Sequence, residues 1–212
     1  MVARPLDARR VDDGETAFRR DGSDAPVRRR PRKRVPLIER MMRVIHYEMS
    51  QRKGKLHFFC GKMAAGKSTL ARQLASQEDA VLLVEDEFLE RLFPDQITDL
   101  PAYVKCSSRI RDALTSHVIA LLSIGVSVVL DFPGNTLRQR AWFRRLIDDS
   151  GAEHELHFID AADALCVRQL QERSKHLPPD SRWTGEAEFH AVTAYFQPPA
   201  IEEGFHVLRH ER

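Results

Sequence analysis

From residue 54 onward the chain alternates between two hydrophobic periods. Short runs dense in apolar, β-branched or aromatic residues have the length and make-up of strands: "KLHFFC" (55–60), "AVLLVE" (80–85), "VSVVLD" (126–131), "HELHFID" (154–160) and the weaker "FHVLRH" (205–210). The second and third are apolar almost throughout, as strands covered on both faces are. Between them, apolar positions recur at three- and four-residue steps near 67–77, 86–92, 102–124, 136–150 and 161–174, which predicts helices. In 102–124 the stripe Val104, Ile110, Leu114, Val118, Leu121 and Leu122 reads as core packing. Strands alternating with helices predict an α/β domain over 54–212 with a mainly parallel sheet. The longest polar interruption, "KHLPPDSRWTGEAEF" (175–189), reads as a mobile loop.

Charge separates this part from what precedes it. The net charge of the 212 residues is +2, yet residues 1–53 hold 15 Lys and Arg against 8 Asp and Glu, a local +7. The remainder holds 18 against 23, a local −5. The first 53 residues, with "RRRPRKR" at 28–34 and few large apolar residues before Leu37, read as a disordered basic arm. Such an arm can contact nucleic acid, but it lacks interleaved aromatics for base stacking, so a solvated tail is favoured. No run of about 18 apolar residues could span a membrane, and no secretory leader is visible. Three widely spaced cysteines, Cys60, Cys106 and Cys166, read as core thiols of a cytoplasmic protein.

The most informative stretch follows the first strand. Gly61-Lys62-Met63-Ala64-Ala65-Gly66-Lys67-Ser68 fits the spacing G-x-x-x-x-G-K-[ST] and runs into the helical pattern "KSTLARQLA". A chain that wraps a phosphate must aim successive N–H groups inward without Cβ interference, hence the two glycines. The helix N-terminus at Lys67, Ser68 and Thr69 then offers unpaired N–H groups to an anion. Lys67 would reach the β- and γ-phosphates of a nucleotide and Ser68 would ligate Mg²⁺. Absence of an N-K-x-D guanine signal tilts the nucleotide towards ATP.

Further candidates flank this loop. Asp131 ends a buried strand, where an aspartate holds Mg²⁺ beside a phosphate loop. "FPGNTLRQR" then puts Asn135, Thr136, Arg138 and Arg140 where a loop opens a helix. "VEDEF" places Glu85, Asp86 and Glu87 after the second strand, at the carboxyl edge where open α/β sheets bind ligands. One of these carboxylates could take the proton of an attacking hydroxyl. Arg173 stands at the junction of the 161–174 helix with the polar interruption, where a lid could bring it to a transferring phosphoryl group. In "EHELH" (153–157), alternation sends His154 and Leu156 to one face and His157 to the other, so the histidines share no metal face.

Taken in order, "GKMAAGKST", "VEDEF", "VVLDFPGNTLRQRAWF" and "HFIDAADALCVRQLQER" resemble the small P-loop kinases of the zeta toxin, chloramphenicol phosphotransferase and polynucleotide kinase group, AAA-type ATP-binding proteins with kinase character. The resemblance covers about 55–210. It implies a five-stranded parallel sheet in the order 2-3-1-4-5 with a short lid, and the use of ATP and Mg²⁺. It implies Asp86 as general base, Lys67 as phosphate lysine and Asp131 as the strand-end aspartate. Arg138, or less well Arg140, would be the arginine beyond that aspartate, and Arg173 the lid arginine. Many relatives carry an arginine three residues after the base, where this chain has Leu89. The expected activity is phosphoryl transfer from ATP to a small-molecule hydroxyl; a polynucleotide 5′-hydroxyl kinase and an acceptor-less switch are the rivals.

Overall fold

The computed structural model describes residues 36–43, 53–175 and 185–212. Strand β1 (Lys55–Cys60) is central, flanked by β3 (Val128–Pro133) and β4 (Glu153–Asp160), with β2 (Val81–Val84) and β5 (Val207–Glu211) outermost. The order β2-β3-β1-β4-β5 and the parallel sense of every pairing are those the resemblance implies. Parallel neighbours require crossovers. These are α1 (Lys67–Gln77), α2 (Glu85–Leu92), α3 (Leu100–Ser123), α4 (Leu137–Ser150), α5 (Asp163–Ser174) and α6 (Glu186–Thr193).

Alternation along β1 divides the interior into two cores, as a sheet covered on both faces requires. Leu56, Phe58 and Cys60 pack with Ile110, Val118 and Leu122 of α3 and with Phe143 and Leu146 of α4. The Phe58 and Phe143 rings stack with centroids 4.4 Å apart. Phe59 points the other way, towards Ala71 of α1, Cys166 and Leu170 of α5, and Phe189 of α6.

Three boundaries differ from the sequence expectation. β2 stops at Val84 because Glu85 already belongs to α2. β3 runs two residues past Asp131, to Pro133. The polar interruption is not a loop throughout: α6 begins at Glu186 and buries Phe189 completely, while 176–184 lie outside the described residues. Most of the basic arm also lies outside them. Residues 37–43 are helical, with Leu37, Ile38, Met41 and Met42 exposed. Among the described residues no helix is long and apolar enough to cross a membrane.

One buried charge ties the far end of the chain to the sheet. Helix α4 is capped by Thr136, whose hydroxyl accepts from the Gln139 N–H at 3.2 Å while the Gln139 side chain accepts from the Thr136 N–H. One residue on, Arg140 is only 1% exposed. Its Nε and Nη2 donate to the two Glu203 carboxylate oxygens at 2.6 and 2.8 Å, and its Nη1 donates to Gly134 O and Gln197 O at 2.8 and 2.7 Å. Sequence reasoning left Arg140 as a second choice for a catalytic arginine; the geometry commits it to this clamp. Burial alone would raise the Glu203 pKa, but the Arg140 hydrogen bonds and charge hold it below its ordinary 4.5.

Removing one partner of a buried pair strands the other. Arg140→Leu is therefore expected to lower the unfolding free energy by about 3–5 kcal/mol in urea titration. A carboxylate depressed in the folded state contributes stability that is complete above its ordinary pKa and lost as pH falls through its folded value. The acid limb of the wild-type stability curve should accordingly be steeper than that of Arg140→Leu; parallel limbs would show that the pair is not coupled.

Candidate active site

The phosphate loop depends on how β1 and β3 part company. Their register advances evenly to Phe58 opposite Leu130, then jumps so that Phe59 faces Pro133. Asp131 and Phe132 are left over, and Asp131 remains paired with Val84 of β2. Beyond the jump the strands are pinned again: the Gly134 N–H donates to Phe59 O at 2.8 Å, and the Gly61 N–H donates to Asn135 Oδ1 at 3.0 Å. A Cβ on residue 134 would lie 2.7 Å from Phe59 O, so only glycine permits this approach.

Within the loop, Lys62 turns outward and donates to Ala161 O at 3.3 Å while pairing with Asp163, leaving its backbone to the loop. Met63 and Ala64 are half-buried and Ala65 is buried. Gly66 adopts φ +102°, a left-handed conformation that L side chains rarely hold. Lys67, Ser68 and Thr69 form the first turn of α1, so their N–H groups face the loop's mouth with the positive end of the helix dipole. The Lys67 ammonium folds back and donates to Gly61 O and Lys62 O at 2.7 and 2.8 Å. Burial lowers its pKa against the opposing pull of Asp131. An anion in the loop would favour its charged form.

Ser68 hydrogen-bonds the Asp131 carboxylate, whose pKa is raised by burial despite that bond and Lys67. A hydroxyl and a carboxylate meeting beside a phosphate loop are hard oxygen donors suited to Mg²⁺. The fold-implied ion therefore fits the residues present.

The three consecutive carboxylates sort themselves by environment. Glu85 is 1% exposed and accepts from Tyr103 Oη and Ser107 Oγ, both at 2.6 Å, and from Arg111 Nη2 at 3.2 Å. Burial and the Glu85 charge push the Tyr103 phenol well above its ordinary value, so it stays a donor. Glu87 pairs with Arg91 one turn along α2 at 3.4 Å. Asp86 is exposed, and its charge acts on both Lys67 and Asp131. Of the three, Asp86 alone has its carboxylate without a hydrogen-bond or ion-pair partner among the described residues.

Arg138 is exposed on the first turn of α4 and Arg173 on the last turn of α5, just before the segment outside the described residues. Neither has a hydrogen-bond or ion-pair partner among the described residues. Sequence reasoning missed Arg212: a Cβ on Gly66 would stand 2.4 Å from its Nη1, so its guanidinium lies against the phosphate loop. The strand order carried the signal, since the end of β5 shares the carboxyl edge with the end of β1.

Comparison with known proteins accords with this geometry. Among curated proteins no match was found. In the solved structures, a provisionally assigned kinase from Chloroflexus aurantiacus shares 19% identity with a TM-score of 0.60, covering 76% of this chain and 89% of its own. A sugar kinase from a Janibacter species shares 13% identity with a TM-score of 0.53, over 75% of this chain and 85% of that one. An APS kinase from Mycobacterium tuberculosis, solved with AMPPNP and APS, shares 19% identity with a TM-score of 0.50, over 76% and 89%. At these identities the likeness is one of fold. The family model described as an AAA domain matches residues 56–199, which hold the phosphate loop, Asp86 and Asp131 together. The chain belongs to that AAA domain family and has the fold of the small P-loop kinases.

Proposed function

We propose that the protein transfers the γ-phosphoryl group of ATP to a hydroxyl group of a small molecule. The observation that carries this reading is the sorting of the acidic triplet. A nucleotide switch needs no uncommitted carboxylate across from its phosphate loop, whereas a kinase needs one at the carboxyl edge, within reach of an acceptor. Asp86 is so placed.

On this reading the acceptor oxygen forms a bond to the γ-phosphorus as the bond from that phosphorus to the β,γ-bridging oxygen breaks. ADP leaves, and the hydroxyl proton passes to Asp86. Loop N–H groups up to Ser68, with Gly61's held by Asn135, and the α1 dipole hold the transferring charge. Lys67 exchanges its two backbone acceptors for phosphate oxygens. Ser68 and Asp131 would hold Mg²⁺, which when bound neutralises charge on the phosphates. Arg173 and Arg138, both exposed and without partners among the described residues, are free to approach the γ-phosphate as the site closes. Rate enhancement comes from positioning and charge neutralisation. Three free, buried cysteines suit a cytoplasmic setting. The acidic balance of 54–212 disfavours a polynucleotide acceptor, and the basic arm at 1–53 is the feature that would favour one.

The deciding experiment supplies full-length protein with Mg²⁺ and γ-labelled ATP, and offers separately a metabolite extract and a 5′-hydroxyl oligonucleotide. Label is expected on a metabolite. Label on the oligonucleotide would replace this reading by a polynucleotide kinase, and release solely as free phosphate would remove the acceptor altogether.

Asp86→Asn should lower kcat by about 10²–10⁴-fold while leaving ATP affinity nearly unchanged, the signature of a lost general base. Glu87→Gln should leave kcat within a few-fold; the opposite pattern would move the base to Glu87. For Arg173→Ala, a kcat loss of roughly 10³-fold with little change in the KM for ATP would mark an arginine acting on the transition state. A rise in KM alone would mark a ground-state contact. Arg138→Ala measured alongside tells which arginine carries that part.

A further inference from the structure

The α1-facing side of the sheet holds a second polar cluster, apart from the phosphate loop. His57 of β1 and His157 of β4 are 0% and 2% exposed, an expensive placement for two imidazoles unless something uses them. His57 Nδ1 lies 3.1 Å from His157 Nε2. Glu155, two residues before His157 on the same face of β4, places Oε2 at 3.4 Å from His57 Nδ1 and 3.8 Å from His157 Nε2. His57 is four residues before Gly61, about 13 Å along an extended strand, so this cluster does not overlap the nucleotide site.

Donor counting exposes a conflict in this triangle. His57 Nε2 faces Glu78 Oε2 at 3.0 Å and so carries the proton, which leaves Nδ1 as a bare lone pair in the neutral ring. The one proton inside the triangle is then that on His157 Nε2, 3.1 Å from His57 Nδ1 and 3.8 Å from the Glu155 oxygen, so a single proton serves two acceptors. A cation at the centre removes the conflict, because all three atoms then point lone pairs at it. It requires only that the tautomers of His157 and His210 invert.

The dimensions suit one class of ion. Bonds of about 2.0–2.2 Å arranged tetrahedrally separate ligand atoms by roughly 3.3–3.6 Å, and the three edges here are 3.1, 3.4 and 3.8 Å. The outer contacts match as well. Ligating histidines pass their second ring nitrogen to a carboxylate or another acceptor, as His57 does to Glu78 and His157 Nδ1 does to His210 Nε2 at 3.1 Å. The other Glu155 oxygen is held by Lys55 Nζ at 3.1 Å, leaving Oε2 for the ion. Two carboxylates against one ammonium give the pocket a net negative charge. Glu155 and Glu78 are partly exposed, which opens a path for entry.

We propose that His57 Nδ1, His157 Nε2 and Glu155 Oε2 form a binding site for a divalent transition-metal ion, Zn²⁺ being the expected occupant. Two nitrogens and one oxygen suit Zn²⁺ and its neighbours, whereas Mg²⁺ and Ca²⁺ take all-oxygen sets. The site joins β1 to β4 directly, and through Glu78 and His210 it reaches the end of α1 and β5.

The test uses full-length protein stripped with EDTA and titrated with Zn²⁺ in millimolar Mg²⁺, reading bound metal and melting temperature rather than phosphoryl transfer. One equivalent should bind and raise the melting temperature. Glu155→Gln, nearly isosteric and partly exposed, should weaken binding by at least about 100-fold while melting like wild type in EDTA. Glu78→Gln, which touches no ligating atom, should weaken it by roughly 10–100-fold. Asp131→Asn should leave it unchanged, separating this site from the nucleotide site. Absence of a bound equivalent at about 1 μM free Zn²⁺, or undiminished binding by both Glu155→Gln and Glu78→Gln, would overturn the proposal.

Discussion

Everything at the carboxyl edge depends on the parting of β1 and β3 after Phe58. In an even register Asp131 would lie opposite Phe59, held between β1 and β2. The two-residue jump preserves the inward set of both strands while freeing Asp131 to meet Ser68. The bonds that pin the strands again are made by Gly134 and Asn135, and they also fix the N–H of Gly61. Loop shape and the placement of the acidic group are thus consequences of one junction. A side chain at position 134 would disturb both together.

A second regularity concerns charged neighbours with opposite fates. Adjacent helical residues are about 100° apart, so one faces the core and the next faces solvent. Glu85 is buried under Tyr103, Ser107 and Arg111, and Asp86 stands free beside it. Arg140 is buried under Glu203, and Arg138, two positions earlier, is exposed. In each case the buried charge anchors the backbone that presents the exposed one. Glu85 ties the start of α2 to α3; Arg140 ties the start of α4 to 197–203. Burying a charge is costly unless its hydrogen bonds are complete, and both anchors are bonded on several sides.

The strands, the loop and the helix that follows it were legible because they rest on local rules: apolar runs, glycine spacing and a period of 3.6; the sheet order came from the resemblance to the small P-loop kinases. The choice within Glu85-Asp86-Glu87 was not, since it turns on Tyr103, Ser107 and Arg111, which approach from a helix 15 or more residues away. The clamp made by Arg140 was hidden for the same reason, its partner Glu203 being 63 residues distant. α6 was hidden because one buried aromatic, Phe189, sits among polar residues too few to show a period. The histidines illustrate the limit well. Along β4 alone, His154 and His157 do diverge to opposite faces. The cluster becomes visible once β1 and β4 are laid side by side in register, with His57 against Glu155.

That cluster also bears on the phosphate loop through the helix between them. Strand β1 leads from His57 to the loop at Gly61, and α1 leads from Lys67 back to Glu78, which returns to His57 across 21 residues at 3.0 Å. Strand, loop and helix therefore form a closed circuit, covalent on one side and hydrogen-bonded at its base. At the top, the Lys67 ammonium bonds the carbonyls of Gly61 and Lys62, closing a smaller circuit inside the first. A loop held at both its ends and at the foot of its helix cannot widen without breaking one of these bonds. A rigid cradle of N–H dipoles needs little reorganisation when phosphate charge shifts, and preorganisation of that kind is where phosphoryl transfer finds most of its rate.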